Sequence, residues 1–306
     1  MTAPSPAAAR PWGETLRYLN WILNPFQRLD VAGVYDLLST RAPTERGLYL
    51  NLGYWQAART LDDACEAMAD RLAERGGMGP GDRVLDVGFG FADQDMYWIG
   101  HQGPKVIVGL NVTASQVEVA RARVAERALA GRIDLRLGSA TEMPVPDGAF
   151  DVVTALECAF HFDTRERFFA EAFRVLRPGG RLAVADILPL PPAPGRWGRL
   201  KQRWSWAMVA RRFPIPAANR YGRETYAAKL ADCGFDGVQV ESIREQVYAP
   251  LHRYLASDPA PVRRLHPVAR PVARLALRLS PDSVYAGLDY VLASARKPGA
   301  TGPDAG

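Results

Sequence analysis

The sequence predicts an α/β fold in which a mostly parallel β-sheet is covered by helices on both faces. From about residue 60, short apolar segments that run into glycine or polar residues alternate with amphipathic segments. Buried apolar strands separated by helices are typical of parallel sheets whose two faces are covered. The 306 residues, 48% of them hydrophobic, are enough for one large core and a smaller cap.

Seven strands are predicted. The first, RVLDV, is a short apolar run that leads directly into glycines, and the second, KVIVGL, has the same character. The last, LDYVLASA, follows a long stretch without the β/α pattern. In chain order the predicted strands are 83–87, 105–110, 133–137, 150–156, 181–187, 238–243 and 288–295.

Four helices are predicted, one before the first strand at 62–75 and three between strands at 113–129, 165–175 and 224–233. The first ends at Gly76, because glycine readily stops a helix. The second has Thr113 or Ser115 as its N-cap. The third is stopped before Pro178 and the two glycines that follow it.

The β/α pattern is interrupted twice, by a Pro-rich, aromatic and basic segment and by a second irregular segment near the C-terminus. We therefore expect one sheet domain carrying a helical cap, which is built from the N-terminal region and these two insertions. The predicted parts are a disordered tail at 1–11, an N-terminal cap segment at 12–60, the sheet domain at 61–298 with cap insertions at 190–222 and 249–285, and a tail at 299–306.

The formal charge of +5 is unevenly distributed. Five arginines and no acidic residue lie between Pro259 and Ser280, and a second basic stretch covers 196–212. Such patches bind nucleic acid, lipid headgroups or anionic substrates, or form solvated helix faces, and the sequence leaves these alternatives open.

The three cysteines, Cys65, Cys158 and Cys233, have neither metal-ligand nor redox spacing, so neither a metal site nor a disulfide framework is predicted. Few cysteines and no leader segment indicate a cytoplasmic protein. The apolar run at 16–29 is too short and too polar to span a membrane.

A glycine turn follows the first strand, in the segment VLDVGFGFADQD at 84–95. Gly88 and Gly90 allow the backbone to approach a ligand closely at the carboxyl edge of the strand, where open α/β sheets bind ligands. The dinucleotide motif G-x-G-x-x-G requires a third glycine, but Asp93 stands there, and its carboxylate would repel a diphosphate. The pattern D-x-G-x-G instead suits S-adenosylmethionine (SAM), which is cationic at its sulfur, with Asp86 supplying nearby negative charge.

Further positions are spaced as a SAM site requires. Asn111 ends the second strand about 20 residues after the turn, where a side chain that bonds the ribose hydroxyls is expected. Ser139 and Ala140 follow the third strand, where the adenine should lie. Gln116 is a further predicted cofactor contact. A tight turn in some other α/β protein is the alternative if the glycines are considered alone.

Five segments together suggest a family: VLDVGFG (84–90), GLNVTASQ (109–116), GSATEMP (138–144), FDVVTALE (150–157) and VLRPGG (175–180). They resemble the class I SAM-dependent methyltransferases of the ubiquinone-biosynthesis type. NLGYW (51–55) and LASARKPGA (292–300) resemble a macrolide-sugar O-methyltransferase, and ALECAFHF (155–162) is similar to another sugar O-methyltransferase. The resemblance covers about residues 45–190 and the last strand and is poor over the caps. It implies a Rossmann-like, seven-stranded methyltransferase sheet.

Three positions depart from the pattern of this family. Ala92 replaces the third glycine, Asn111 replaces the acid that bonds the ribose, and Ser139 replaces the acid beside the adenine. Asn111 still offers hydrogen bonds but no charge, and the same substitution occurs in C-methylating relatives.

The candidate catalytic residues lie after the fourth predicted strand and at the end of the fifth. His161 is suited to remove a proton from an attacking hydroxyl, and Asp186 is expected to orient it or to hold the substrate hydroxyl. Glu157 has two alternative interpretations: it stabilises cationic character, as in carbon-methylating relatives, or it contacts the cofactor ribose or organises the loop. Tyr54 is the predicted substrate contact. A structural histidine bonded to the backbone is the alternative for His161.

Three functions remain open at this stage. The first is O-methylation of a hydroxyl on a glycosylated or polyketide-like natural product, and the second is C-methylation of an isoprenoid. The third is a SAM-binding regulator or membrane-surface protein, whose contacts would be Trp21, Ile22 and the segment 275–279. A nucleic-acid partner is not predicted, because no Asn/Asp-Pro-Pro-Tyr/Phe motif follows the fourth strand. The expected partner is a small-molecule acceptor, while membrane contact and oligomerisation stay open.

Overall fold

A computed structural model of the chain describes residues 44–299 together with 15–17, 19–21, 24 and 29–38. The predicted tail at 1–11 and nearly all of the tail at 299–306 lie outside these residues, as do Ile22 and much of the cap segment at 12–60.

The predicted α/β fold is confirmed as one seven-stranded sheet in the order β3-β2-β1-β4-β5-β7-β6. Strands β1 to β5 are parallel, and β7 runs antiparallel between β5 and β6. The strands are β1 Arg83–Val87, β2 Val106–Asn111, β3 Ile133–Leu137, β4 Phe150–Leu156, β5 Leu176–Pro189, β6 Asp236–Ser242 and β7 Leu288–Arg296.

The first, third and fourth strands have their predicted bounds, but β5 is twice as long as predicted. It includes the Pro-Gly-Gly sequence that was expected to precede it, because Leu176 already pairs with Phe150 and a bulge absorbs the intervening residues. Beyond the bulge, Arg181–Pro189 pairs continuously with β7. Pairing with β7 therefore extends β5 at its C-terminal end, and pairing with β4 extends it at its N-terminal end.

Eleven α-helices are found in the described part of the chain, of which four were predicted. One of the others, α3, begins at Asp93 directly after the glycine turn, and its polar sequence DQDMYWIGH gives no clear apolar period. The helices are α1 Val31–Leu38, α2 Leu61–Arg75, α3 Asp93–His101, α4 Ala114–Glu126, α5 Arg165–Val175, α6 Arg196–Arg212, α7 Arg223–Asp232, α8 Arg244–Ser257, α9 Pro259–Arg264, α10 Ala269–Ala276 and α11 Pro281–Val284.

The core has one apolar layer on each face of the sheet, as the sequence predicted. On one face Leu72 of α2 and Trp98 of α3 are fully buried, and the indole N–H of Trp98 donates to the carbonyl oxygen of Ala69 at 3.0 Å. On the other face Phe168 and Phe169 of α5 pack with α7. Both faces are therefore held by buried side chains, and the carboxyl edge of β1 to β4 is fixed in place.

The two predicted cap insertions are helical, with α6 in the first and α9 to α11 in the second. Val34 of α1 packs in a small cluster with Trp21 and Val268, so the described N-terminal residues meet the second insertion. The division into sheet domain and cap remains a prediction. Across the described residues, every helix falls short of the length or the hydropathy that crossing a bilayer would require.

Candidate active site

A cavity of about 190 Å³ opens at the carboxyl ends of β1, β2 and β4. Strands β1 and β4 are neighbours at the point where the strand order reverses, which is where open α/β sheets bind ligands. Of the predicted cofactor residues, those lining the cavity are Gly88, Gly90, Asn111, Gln116, Ser139, Ala140 and Glu157. The structure thus brings together seven of the eight predicted positions.

The glycine turn forms the floor of the cavity. Gly88 has a φ of 75° and Gly90 a φ of 57°, a region that favours glycine. A Cβ atom on Gly88 would lie 2.6 Å from both the Cβ and the Sγ of Cys158. No other residue fits there without displacing the loop after β4, so the close approach predicted from the sequence is present.

Asp86 is the predicted cofactor residue that does not line the cavity. It is fully buried beneath the turn, where its carboxylate accepts hydrogen bonds from Thr154 Oγ1 at 2.7 Å and Gln94 Nε2 at 2.9 Å. Burial raises its pKa to about 7. In this position Asp86 ties β1 to β4 and to α3 instead of facing the cavity.

Asp95 lies beside Asp86 and is also fully buried. Burial and, next, the charge of Asp86 raise its pKa well above the ordinary value. Two adjacent carboxyl groups in an apolar environment cannot both ionise at low cost, so we expect them to share a proton.

Asn111 and Gln116 form a polar wall beside the turn, where Asn111 Nδ2 also lies 3.4 Å from the carbonyl oxygen of Gly90. Asn111 Nδ2 donates to Gln116 Oε1 at 2.9 Å, and Asn111 Oδ1 accepts from the backbone N–H of Thr113 at 3.1 Å. Ser139 bonds Thr141 through its hydroxyl at 3.0 Å, next to the cavity. These amide and hydroxyl groups suit the ribose and adenine positions predicted from the sequence.

The predicted repulsion between Asp93 and a diphosphate needs correction. Arg123, which sequence reasoning missed, holds the Asp93 carboxylate with two hydrogen bonds of 2.5 and 2.6 Å. The charge of Asp93 is thus compensated and directed toward α4. Arg123 could not be singled out, because thirty residues separate it from Asp93.

The charge of the cavity wall argues against a phosphate ligand more directly. Among the described residues that line it there is no lysine or arginine, whereas Glu157 and Asp163 are present. Phosphate groups are held in proteins by basic side chains or helix N-termini, and a cationic ligand is favoured by carboxylates. The residues that line the cavity therefore fit a cationic ligand such as SAM, while the roles of Asn111, Gln116 and Glu157 toward it stay predictions.

Residues 44–55 form a strap across the mouth of the cavity, to which Leu48, Leu50 and Asn51 contribute. One end is held by Asp62, whose carboxylate accepts three consecutive backbone N–H groups, those of residues 45, 46 and 47, at 2.7 to 3.0 Å. Asp62 is 2% exposed. The strap is therefore anchored to the first turn of α2.

Glu157 holds the other end of the strap. Its Oε1 accepts hydrogen bonds from the backbone N–H of Leu52 and from the hydroxyl of Tyr290 in β7, each at 2.6 Å. Glu157 itself has a φ of 52°, which is unusual for a residue with a side chain. Burial raises its pKa to about 7. One buried carboxylate thus joins the strap, the loop after β4 and the last strand at the cavity wall.

His161 also lines the cavity, at the end of the short 3₁₀ turn Ala159–His161. Its Nδ1 lies 3.0 Å from the carbonyl oxygen of Pro214, just beyond α6. If Nδ1 is the protonated nitrogen and donates to that oxygen, the basic lone pair is on Nε2. Burial lowers the pKa of His161 to about 4, so the ring is neutral at pH 7.

Asp186 is not brought to His161 as the sequence suggested. It is fully buried and pairs with Arg165, whose Nε lies 2.8 Å from the Asp186 carboxylate. The other carboxylate oxygen accepts from the backbone N–H of Ile187 at 2.8 Å. Arg165 further donates to the carbonyl oxygens of Asn219 and Ile187. The pair fastens α5 and the segment after α6 to the sheet.

Tyr54 also lies outside the cavity. Its hydroxyl donates to Gln56 Oε1 at 2.9 Å, and the Arg71 guanidinium stacks on its ring. It lines a shallow surface pocket beside α2 and β6. Asn51, from the same NLGYW segment, lines the cavity instead.

Comparisons with known proteins agree with this site. Residues 85–184 match the family described as methyltransferase domain. Over 302 residues the chain is 40% identical to erythromycin 3''-O-methyltransferase of Saccharopolyspora erythraea, and the match covers 91% of this chain and 92% of that protein. The chain therefore belongs to the SAM-dependent methyltransferases, as the sequence motifs predicted, and SAM is its cofactor.

Two other proteins show how far the similarity extends. The 27-O-demethylrifamycin SV methyltransferase of Amycolatopsis mediterranei is 35% identical over 167 residues, or 54% of this chain and 61% of that protein. The crystal structure of geranyl diphosphate C-methyltransferase from Streptomyces coelicolor A3(2) covers 96% of this chain and 100% of its own, with a TM-score of 0.61. Its 19% identity shows a shared fold alone.

Proposed function

We propose that this methyltransferase transfers the methyl group of SAM to a hydroxyl of a natural product, such as a sugar hydroxyl of a glycosylated polyketide. The observation that carries the proposal is the 40% identity, over nearly the full length of both chains, with a methyltransferase named for erythromycin. The second relative, named for rifamycin, supports the same substrate class. We also propose a cytoplasmic location, which the three free thiols support.

When bound, SAM supplies an electrophilic methyl carbon on its sulfonium and leaves as S-adenosylhomocysteine. The chain positions the acceptor, since alignment of a nucleophile accounts for much of the rate in such displacements. As the new C–O bond forms and the C–S bond breaks, His161 Nε2 takes the hydroxyl proton. The neutral ring at pH 7 is the form that can accept it.

The alternative, methylation of an isoprenoid carbon, would place Glu157 beside a developing cation. Oε1 of Glu157 already accepts two short hydrogen bonds, from the backbone of Leu52 and from Tyr290. An isoprenoid diphosphate would also need cations, and the described lining of the cavity contains no lysine or arginine. We therefore assign Glu157 to positioning the strap and to favouring the positive charge of SAM.

The test is methyl transfer from ¹³C-methyl SAM to two acceptor sets, macrolides with a free sugar hydroxyl and geranyl diphosphate. We expect an O-methyl carbon signal in a macrolide product and no product from the diphosphate. His161→Ala should lower kcat by about 10²- to 10⁴-fold with little change in SAM affinity. A C-methyl product, or full activity in the His161 variant, would contradict the proposal.

A further inference from the structure

Helix α6 carries a stripe of large apolar side chains on its outer face. Trp197 is 79% exposed and Trp204 67%, and Leu200 and Met208 are also exposed. Their spacing of three, four and four residues places them within an arc of about 80° around the helix. Single exposed apolar residues are normal on soluble proteins, but four on one arc mark a contact surface.

The opposite face of α6 is docked on the protein. Ser205 is buried and donates to the carbonyl oxygen of Val284 at 2.7 Å, and Trp206 and Val209 pack against the core. Gln202 bonds the chain that leads into the helix. Helix α6 is therefore already packed against the protein through its other face. The exposed stripe is not a core-facing surface that has failed to pack.

The charges on α6 have one sign. The helix contains no acidic residue. Lys201 borders the stripe on one side, and Arg196 and Arg203 border it on the other, all three exposed. Trp, Leu and Met flanked by Lys and Arg are the composition of helices that lie in the interface of a bilayer.

A second element of the same composition begins beside α6. Phe213, just after α6, packs in the cluster that includes Ala269, the first residue of α10. In and just after α10, Val272, Leu275 and Leu279 are more than half exposed, and Arg270, Arg274 and Arg278 are the charged residues of this segment. Two adjacent elements thus combine exposed apolar residues with arginine.

We propose that α6 binds an anionic lipid surface, with Trp197 and Trp204 at the level of the headgroups. Such a surface matches both properties of the helix, since the stripe enters the acyl boundary and the cations meet the headgroups. A second copy of the chain would bring two basic faces together, and like charges disfavour that pairing. This surface is separate from the cavity and does not depend on which acceptor is methylated.

The test is sedimentation of the full chain with phosphatidylcholine vesicles, with and without phosphatidylglycerol. We expect binding only to vesicles that contain phosphatidylglycerol, weakened by salt and accompanied by a blue shift of tryptophan emission. Lys201→Gln combined with Arg203→Gln should lower the partition coefficient about 25-fold, at roughly fivefold for each cation removed.

Trp197→Ser combined with Trp204→Ser should abolish the binding. The matched control is Val119→Ser with Leu137→Ser, which replaces exposed apolar residues near β3, at the far edge of the sheet from β7, against which α6 packs. Circular dichroism and the thermal midpoint verify that each variant is folded. Absence of binding to phosphatidylglycerol vesicles, or equal binding by the tryptophan variant and the control variant, overturns the proposal. A dimer of the natural protein that is lost only in the tryptophan variant also overturns the proposal, because a second copy of the chain would then cover the stripe.

Discussion

Replacing Asp62 by asparagine should weaken cofactor binding, although Asp62 does not touch the cavity. Oδ1 of Asp62 accepts from the backbone N–H groups of Arg46 and Gly47, and Oδ2 accepts from Glu45. An asparagine can keep the two bonds to its oxygen but presents an NH₂ group to the third N–H. The strap 44–55 therefore loses one bond and the charge that strengthens the other two.

The magnitude follows from the type of bond lost. A hydrogen bond to a charged group contributes about 1.5–3 kcal/mol to stability, so we expect a loss of about 2 kcal/mol. The loss falls on the closed strap, which supplies Leu48, Leu50 and Asn51 to the cavity wall. If closure is needed for binding, 2 kcal/mol raises the Kd for S-adenosylhomocysteine by at most about 30-fold.

The matched control is Asp63→Asn, one residue further along the first turn of α2. Both aspartates lie in the first helical turn and interact with the helix dipole, but the Asp63 side chain is 40% exposed and pairs with Arg46 near the surface, where a pair contributes about 0–1 kcal/mol. Isothermal titration should give a normal Kd for Asp63→Asn and a weakened one for Asp62→Asn. Equal affinities in the two folded variants would refute the strap as part of the cofactor site.

Three further predictions concern buried carboxyl groups. Asp186→Asn should destabilise the fold by about 3–5 kcal/mol in denaturant titrations, because it leaves Arg165 buried and unpaired. A variant that is stable but inactive would instead indicate that Asp186 acts in catalysis. Asp95 keeps its proton in the native state, whereas the unfolded chain releases it above the ordinary pKa of an aspartate. The free energy of unfolding should therefore fall as pH rises, and Asp95→Asn should make this dependence on pH weaker. An unchanged pH dependence in the variant would refute the shared proton. SAM affinity, relative to S-adenosylhomocysteine, should increase as the pH rises through about 7 and Glu157 ionises, and a pH-independent ratio would remove its charge from the site.

Local patterns were enough to predict the sheet. Strands β1, β3 and β4 had their predicted bounds because each is a short apolar run between sharp turn signals. Strand β5 was predicted too short, because Leu176 pairs with Phe150 of β4 before Pro178 and residues up to Pro189 pair with β7. Helix α3 was not predicted, because packing against α2 stabilises a polar helix. Tertiary contacts decided both cases.

The candidate site divides in the same way. Gly88, Gly90 and Asn111 follow strand ends directly, so sequence position alone places them at the cavity. Asp186 was predicted at a strand end too, but β5 continues to Pro189 and the Asp186 side chain is held by Arg165, twenty-one residues away. From the sequence, Asp62 and Arg123 look like ordinary charged residues on helix surfaces. Their partners, the strap for Asp62 and Asp93 of α3 for Arg123, are distant in sequence. Side-chain partners of this kind require the three-dimensional structure.

The central claim is that the cavity beside Gly88 binds SAM, and calorimetric titration with S-adenosylhomocysteine tests it most directly. We expect one site per chain in the natural protein. Gly88→Ala should abolish binding in a folded variant, because the added Cβ would lie 2.6 Å from Cys158 and force the loop away. No heat with the natural protein, or undiminished affinity in Gly88→Ala, would contradict the account.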